Sequence, residues 1–313
     1  MFLKTVMERN QPLVRLGIEW QQNGVILPDT YLLDYDTILE NARSIKQAGD
    51  ANGVQNFFML KQIGRNPLIA RALTDMGYVG AVCVDFREAL TMVENQIPLG
   101  NVGHLVQIPR AALKKILRAK PVIVTVYTLE KAREISAVCT ELGLHQKLML
   151  RVLGEGDMLY SGQYGGFELQ ELDSAVRAIE AMPNVEVGGV CSFPCFLYDE
   201  AAQDILPMPN LRTVQTAAEM LRARGYRDLM LNTPSATCTH SIPMIAAAGV
   251  SILITAFWND AVSFMSTKWD SIVIFVVAVW LLKKKNWNPI LVMVLSGFAK
   301  LAVQGVLALV GIV

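Results

Sequence analysis

The sequence predicts an α/β protein built as a (β/α)8 barrel of the TIM type, and three observations on its 313 residues carry that expectation. Between residues 30 and 250, short apolar β-prone runs alternate with longer amphipathic stretches, the pattern of βα units around a parallel sheet. Seven or eight such units can be traced, which favours a closed barrel over an open doubly wound sheet. No GxGxxG or Walker A spacing occupies a strand-to-helix turn, which argues against the dinucleotide and P-loop classes. The alternation stops near residue 250. The barrel is therefore expected to be incomplete at its eighth strand and to be followed by a hydrophobic helical hairpin.

Taken in order, the strand-like runs are Tyr31–Tyr35, Asn56–Leu60, Gly80–Val84, Val102–Val106, Val122–Val126, Leu148–Val152, Val187–Cys191 and Leu229–Asn232. The helix-like stretches are Ile38–Ala48, Pro67–Met76, Arg110–Ala119, Leu129–Leu142, Leu172–Ala181, Asn210–Arg224 and His240–Ala248. The stretch Gly154–Gly166 (GEGDMLYSGQYGG) is glycine-rich and follows a strand. It reads equally as a loop on the catalytic face of a barrel or as a flexible connection.

Charge divides the chain the same way. Five of the 28 basic residues (Lys268, Lys283, Lys284, Lys285, Lys300) and two of the 28 acidic ones (Asp260, Asp270) lie beyond residue 250, which leaves residues 1–250 at net −3 and the tail at net +3. Two domains follow: a barrel over 1–250 and a membrane-like tail over 251–313. Zero overall charge offers no footprint for nucleic acid. The five cysteines are odd in number and sit mostly in apolar runs, as expected of reduced buried thiols in a cytosolic domain. Cys191 and Cys195 have no second pair at ligand spacing, so no metal site is expected. Met1–Gln11 carries Lys4, Glu8 and Arg9 without an apolar core, unlike a secretory signal.

In the tail, Ser251–Trp258 reads as one more strand, and Ser271–Leu282 is twelve uncharged residues. At about 1.5 Å per residue these twelve reach about 18 Å, short of a bilayer core of about 30 Å. Ile290–Val313 is long enough to span, and the cluster Lys283–Lys285 with Trp287 between the two segments resembles a cytoplasmic membrane interface. The expectation is membrane association through 269–313, against a buried helical hairpin as the other reading, with the barrel in the cytoplasm.

Lys61 ends the apolar run FFMLK. A lysine at the C-terminal end of a barrel strand lies where barrel chemistry happens, and its amine suits Schiff-base formation. The plain alternative is an exposed strand cap.

Several segments then fall in one collinear order. FFMLKQIGRNP (Phe57–Pro67) resembles the first barrel strand of the alanine-racemase-like, fold type III enzymes that use pyridoxal 5'-phosphate (PLP), where that strand ends in the cofactor lysine. YLLDYDTILENARSI (Tyr31–Ile45) and VDFREAL (Val84–Leu90) resemble the family's opening unit and third-unit turn. VGHLVQIPR (Val102–Arg110), VYTLEKAREIS (Val126–Ser136), SFPCFLYDEA (Ser192–Ala201) and LNTPSATCTHSIP (Leu231–Pro243) are similar to the YhfX-like branch. The resemblance implies that Lys61 holds PLP as a Schiff base. It implies that Asn232, Ser235 and Thr237 form the turn that binds the cofactor phosphate at a helix start. Arg151 falls where the family keeps a basic residue, for the cofactor or a substrate carboxylate, with a strand-end salt bridge as the alternative. His104 is a candidate acid–base group or a structural histidine. Ser192 stands where the family places a histidine against the ring.

There are departures. SILITAFWND (Ser251–Asp260) lacks the family's eighth-strand glycine turn, and no match to its C-terminal β-domain follows, so the partner subunit's tyrosine base has no counterpart. Thr267–Gly297 is similar instead to the final hairpin of chromate-transporter-family membrane proteins, which marks a chimeric junction near residue 250. The leading expectation is a PLP-dependent racemase-like isomerase of an amino acid or amine, impaired by the missing domain and compatible with a homodimer. A non-catalytic PLP-binding remnant and a transporter-class membrane fragment are the alternatives.

Overall fold

The computed structural model describes residues 2–247 and Val277. The chain divides into two compact units, Met1–Ala246 and Ala247–Val313. The eighth-strand segment, the hydrophobic hairpin, its basic cluster and the transporter-like stretch all lie outside the described residues. Among the described residues no helix is long and apolar enough to cross a membrane.

The first unit is an α/β barrel-like arc with all its main strands parallel. The helices are α1 (Phe2–Arg9), α2 (Gln11–Gln22), α3 (Tyr35–Ala51), α4 (Pro67–Asp75), α5 (Phe86–Glu94), α6 (Arg110–Arg118), α7 (Leu129–Leu142), α8 (Leu172–Glu180) and α9 (Pro209–Ala223). The strands are β1 (Ala81–Cys83), β2 (Leu99–Val102), β3 (Ile123–Val126), β4 (Gln146–Leu153), β5 (Phe167–Glu168), β6 (Val185–Cys191), β7 (Phe196–Asp199), β8 (Asp204–Pro207) and β9 (Met230–Asn232). The sheet runs β1-β2-β3-β4-β6-β9, and β5 adds to β4. The run Asn56–Leu60 precedes β1 at the edge through a parallel bridge between Phe58 and Ala81. The bonds Phe58 N–H to Gly80 O (3.1 Å) and Val82 N–H to Phe58 O (2.7 Å) hold it there. This is a parallel-strand half-barrel, the coarse form of the predicted architecture.

The strands are buried along nearly their whole length in β2, β3 and β4, as a parallel sheet covered by helices requires. The helices supply that cover with one apolar stripe each. In α8 the buried residues are Leu172, Ala175, Val176 and Ile179, spaced at i, i+3, i+4 and i+7. Starts are set locally. Asn66 caps α4 by accepting the Leu68 N–H at 2.9 Å, with Pro67 at the first helical position.

Two strand expectations are corrected. Tyr31–Tyr35 pairs with no strand among the described residues; the Asp34 carboxylate accepts the Thr37 N–H at 3.1 Å, so the chain turns helical at Tyr35. The expected strand Val102–Val106 is displaced to Leu99–Val102. Gly103 has φ +88, and a Cβ there would stand 2.7 Å from the Thr125 carbonyl oxygen. That contact ends the strand, so His104 lies in the turn beyond it rather than on its last residue. Helices α1, α2 and α5 and the β7–β8 hairpin, which opens after β6, were not anticipated.

Candidate active site

Parallel register lines up the C-terminal strand ends. The Phe58–Ala81 bridge sets the segment that ends in Lys61 beside β1, with Lys61 three residues past the bridge in a 3-10 turn. Val126 opposite Leu150 puts Tyr127 level with Arg151; Arg151 faces Cys191, and Cys191 faces Asn232. One row thus runs from Tyr127 through Arg151 and Cys191 to Asn232, at the end where barrel chemistry is carried out.

Lys61 opens a single 3-10 turn, Lys61–Ile63, and its side chain is exposed. The turn closes through Gly64 (φ +76) and Arg65 (φ +58), with the Arg65 N–H bonded to Leu60 O at 2.9 Å.

Arg151 is 2 % exposed. Its guanidinium donates to the Tyr127 hydroxyl at 3.1 Å and to Gln163 O at 2.9 Å, and it lies 5.0 Å over the Tyr127 ring. Its Nε has no partner, and among the described residues no carboxylate pairs with it. A buried cation held only by neutral groups is costly unless an anion completes its shell.

His104 is also buried, with Nδ1 unpartnered. Its ring meets Phe193 edge-on at 5.6 Å, and its backbone carbonyl accepts the Tyr127 hydroxyl. Desolvation, helped by the charges of Arg151 and Lys61, pushes its pKa down to about 4. The imidazole is therefore neutral at pH 7. The same interaction brings Lys61, His104 and Arg151 within one electrostatic neighbourhood.

Ser192 is fully buried, but its hydroxyl is committed elsewhere. It accepts from Asn210 Nδ2 at 3.1 Å and donates to Asp157 at 3.4 Å. Asp157 also accepts the Gly154 N–H at 2.9 Å and the Thr213 hydroxyl at 2.7 Å. Asn210 brackets Met158, accepting its N–H at 3.0 Å and donating to its carbonyl at 3.1 Å. This network ties the glycine-rich loop 154–166 down over the strand ends. Further along, Tyr160 packs on Phe193 at 5.5 Å, and Gly165 lies where a Cβ would come within 2.8 Å of the Tyr127 ring. Of the two readings of that loop, the structure shows a cover rather than a free connection. Asn210→Ala is expected to destabilise the fold by about 2 kcal/mol, because it removes the partner of both Met158 backbone groups and of the buried Ser192 hydroxyl. Urea unfolding measures this, and an unchanged midpoint would show the loop is held by other contacts.

Asn232, Ser235 and Thr237 form a turn at the end of β9, in which Ser235 (φ +95) and Ala236 (φ +47) are both left-handed. Cys195 N–H to Pro234 O (3.0 Å) ties this turn to the segment after β6. Ser241 closes it by donating to Ala236 O at 2.7 Å and accepting the Cys238 N–H at 2.9 Å. The side chains of Asn232, Ser235 and Thr237 make no hydrogen bond among the described residues. Two adjacent non-glycine residues at positive φ are a strained arrangement of the kind that gathers at ligand sites.

Against this geometry the comparisons are decisive for the family. The model of the alanine racemase N-terminal domain matches residues 33–253. The chain belongs to that family. Members share the fold type III barrel, are generally PLP-dependent, act on small amino-acid substrates and often form dimers. One relative, the Escherichia coli (strain K12) protein YhfX, is 38% identical over 251 residues, covering 80% of this chain and 65% of that protein. D-threonine aldolase from Filomicrobium marinum superposes with a TM-score of 0.51 at 18% identity, over 69% of this chain and 58% of the other. Diaminopimelate decarboxylase from M. jannaschii gives 0.50 at 15% identity, over 70% and 55%. The chain thus spans less than two thirds of each of these proteins, and the two solved structures show the fold alone.

Tyr127, Asp157, Asn210 and Glu88 were missed from the sequence. Each acts through a partner distant in the chain or through an unanticipated helix. Only the pairing of Asp85 and Glu88, three apart at a helix start, was a readable signal.

Proposed function

We propose that residues 1–250 form a PLP-binding enzyme domain that acts on an amino acid or amine as a racemase-like isomerase. The observation that carries this reading is Arg151: a buried guanidinium without a carboxylate partner among the described residues, whose charge acts, like that of Lys61, on a buried histidine with a free ring nitrogen. The donor set suits the cofactor. Lys61 would hold it covalently. Asn232, Ser235 and Thr237 have side chains free for its phosphate, next to backbone already bent into left-handed conformations. Arg151 and His104 would face its polar ring edge or a substrate carboxylate. Ser192 would contribute contact rather than its hydroxyl, which the loop network uses.

When bound, PLP would withdraw electron density from the substrate's α-carbon and so acidify it. The chain's own residues would bind, orient and exclude water. Arg151 fixes an anionic group without taking up or giving up a proton. Neutral His104 offers a ring nitrogen as an acceptor, or as a donor in the other tautomer. The 154–166 loop shields the strand ends through Tyr160 and Gly165.

The test is borohydride reduction of protein incubated with PLP, followed by peptide mapping. The expected result is one stable adduct, on the peptide carrying Lys61. Adducts spread over surface lysines, or none, would defeat this reading.

A further inference from the structure

Tyr127 touches both Arg151 and His104, yet it takes no part in the chemistry assigned to either. It is half-buried, at the first position past β3. Its hydroxyl bonds twice, donating to the His104 carbonyl and accepting from Arg151 Nη1 at 3.1 Å. Both directions are forced. A carbonyl oxygen only accepts and a guanidinium only donates. The single hydroxyl proton must therefore go to His104, and an oxygen lone pair is left for Arg151. Burial raises the tyrosine's pKa, so the proton that this arrangement needs stays in place.

The ring adds a second constraint. Arg151 Cζ lies 5.0 Å from its centroid, within the range of a cation–π contact. A hydrogen bond at one terminal nitrogen fixes a point, and an aromatic face against the guanidinium limits how it can swing about that point. The Gln163 carbonyl takes Nη2 at 2.9 Å. Both terminal nitrogens are thus tied, while Nε is buried with no partner. Gly165, where a Cβ would stand 2.8 Å from the Tyr127 ring, lets the same loop settle against the tyrosine. Every group that holds the guanidinium is neutral. Such groups orient a cation without cancelling its charge, so its pull on an anion survives.

We propose that Tyr127 is a positioning residue for Arg151, its hydroxyl and ring holding the guanidinium so that the uncommitted donor meets an oxyanion at the strand ends. The inference rests on the reading of Arg151 as the anion-binding group, and it deepens that reading by naming what aims the group. An oxyanion is the shared chemistry, whether the cofactor or a substrate carboxylate supplies it.

The experiment uses full-length protein with nitrogen-15 in its arginines, and the Arg151 Nε–H is assigned by its loss in Arg151→Lys. Hydrogen exchange of that N–H is followed by NMR, without cofactor, in wild type, Tyr127→Phe and Ser136→Ala. Tyr127→Phe keeps the ring and removes only the hydroxyl. Ser136→Ala deletes another hydroxyl bond, to Pro183 O at 2.6 Å, just before β6 and so at the opposite end of the sheet. It controls for general loosening of the fold. Tyr127→Phe is expected to speed exchange about tenfold, the order of one hydrogen bond to a charged group, and Ser136→Ala to leave it unchanged. PLP and sodium acetate are then titrated separately, with the same resonance as the readout. A shift with PLP assigns the oxyanion to the cofactor, and a shift with acetate alone assigns it to a substrate carboxylate. In either case binding is expected to be about tenfold weaker in Tyr127→Phe. Equal affinity in wild type and Tyr127→Phe overturns the proposal and leaves the anion role of Arg151 intact. An exchange rate untouched by Tyr127→Phe overturns it too, as does one raised equally by Ser136→Ala. If neither probe moves the resonance in wild type, the anion reading of Arg151 falls and the proposal falls with it.

Discussion

Lys61→Ala is expected to abolish the visible absorbance band that PLP raises in the wild-type protein while leaving its stability within about 0.5 kcal/mol. The two halves of this result have different physical origins. A lysine-bound aldehyde absorbs because the amine forms a covalent bond, and among the described strand-end residues Tyr127, Arg151, Cys191 and Asn232 supply no primary amine. Stability is spared because the Lys61 side chain is exposed and makes no hydrogen bond or ion pair with the described residues; surface substitutions away from special features fall in that range. Weak binding through Ser235, Thr237 and Asn232 is expected to persist, since their hydroxyl, amide and backbone groups are untouched. The measurement is a PLP titration by absorbance beside a urea unfolding curve. A band of wild-type size in the variant would remove Lys61 from the site. A band lost together with several kcal/mol of stability would make Lys61 a structural residue.

Acidification is expected to cost about 3 kcal/mol of stability between pH 6.5 and 4 through His104 alone. Burial holds the ring neutral, with a folded-state pKa of about 4 against an ordinary value of 6.5. Below pH 6.5 the unfolded chain protonates this residue and the folded chain does not. The unfolded state then binds more protons, and stability falls as the pH falls until the folded ring is protonated near pH 4. Above pH 6.5 the contribution is fully present and flat. Carboxylates titrate in the same window, so the comparison that isolates the histidine is wild type minus His104→Gln, which keeps a polar planar side chain. The difference curve should slope between pH 4 and 6.5 and level off above. Parallel curves would mean that the ring is solvated, which its packing against Phe193 and its unpartnered Nδ1 contradict.

Much of the fold could be read from the sequence because its causes are local. The strand runs at 81–83, 123–126, 146–153 and 185–191 are short apolar stretches between turn residues. Helices α4 and α7 begin at Asn66 and Thr128, side chains that cap the backbone two or three residues on. Gly103 was harder. A glycine two residues before an apolar pair reads as mid-strand, and only the closeness of the Thr125 carbonyl makes it an ending.

The site divides the same way. Lys61 was visible because an apolar run must stop where the chain leaves the core, and a lysine at that stop is conspicuous. Nothing local marks Ser192 as a loop anchor, since its partners Asp157 and Asn210 are 35 and 18 residues away. Nor does anything local say that the Arg151 guanidinium would be buried without an anion, or that His104 would be held neutral. Those properties depend on which strand ends stand side by side and on how much water the loop 154–166 excludes. The sequence by itself determined the βα alternation, the helix caps and the lysine at the strand end, because hydrophobic periodicity and capping act over a few residues. Only the tertiary structure decided the charge states and hydrogen-bond partners at the site, because desolvation and electrostatic coupling are properties of what packs around a group.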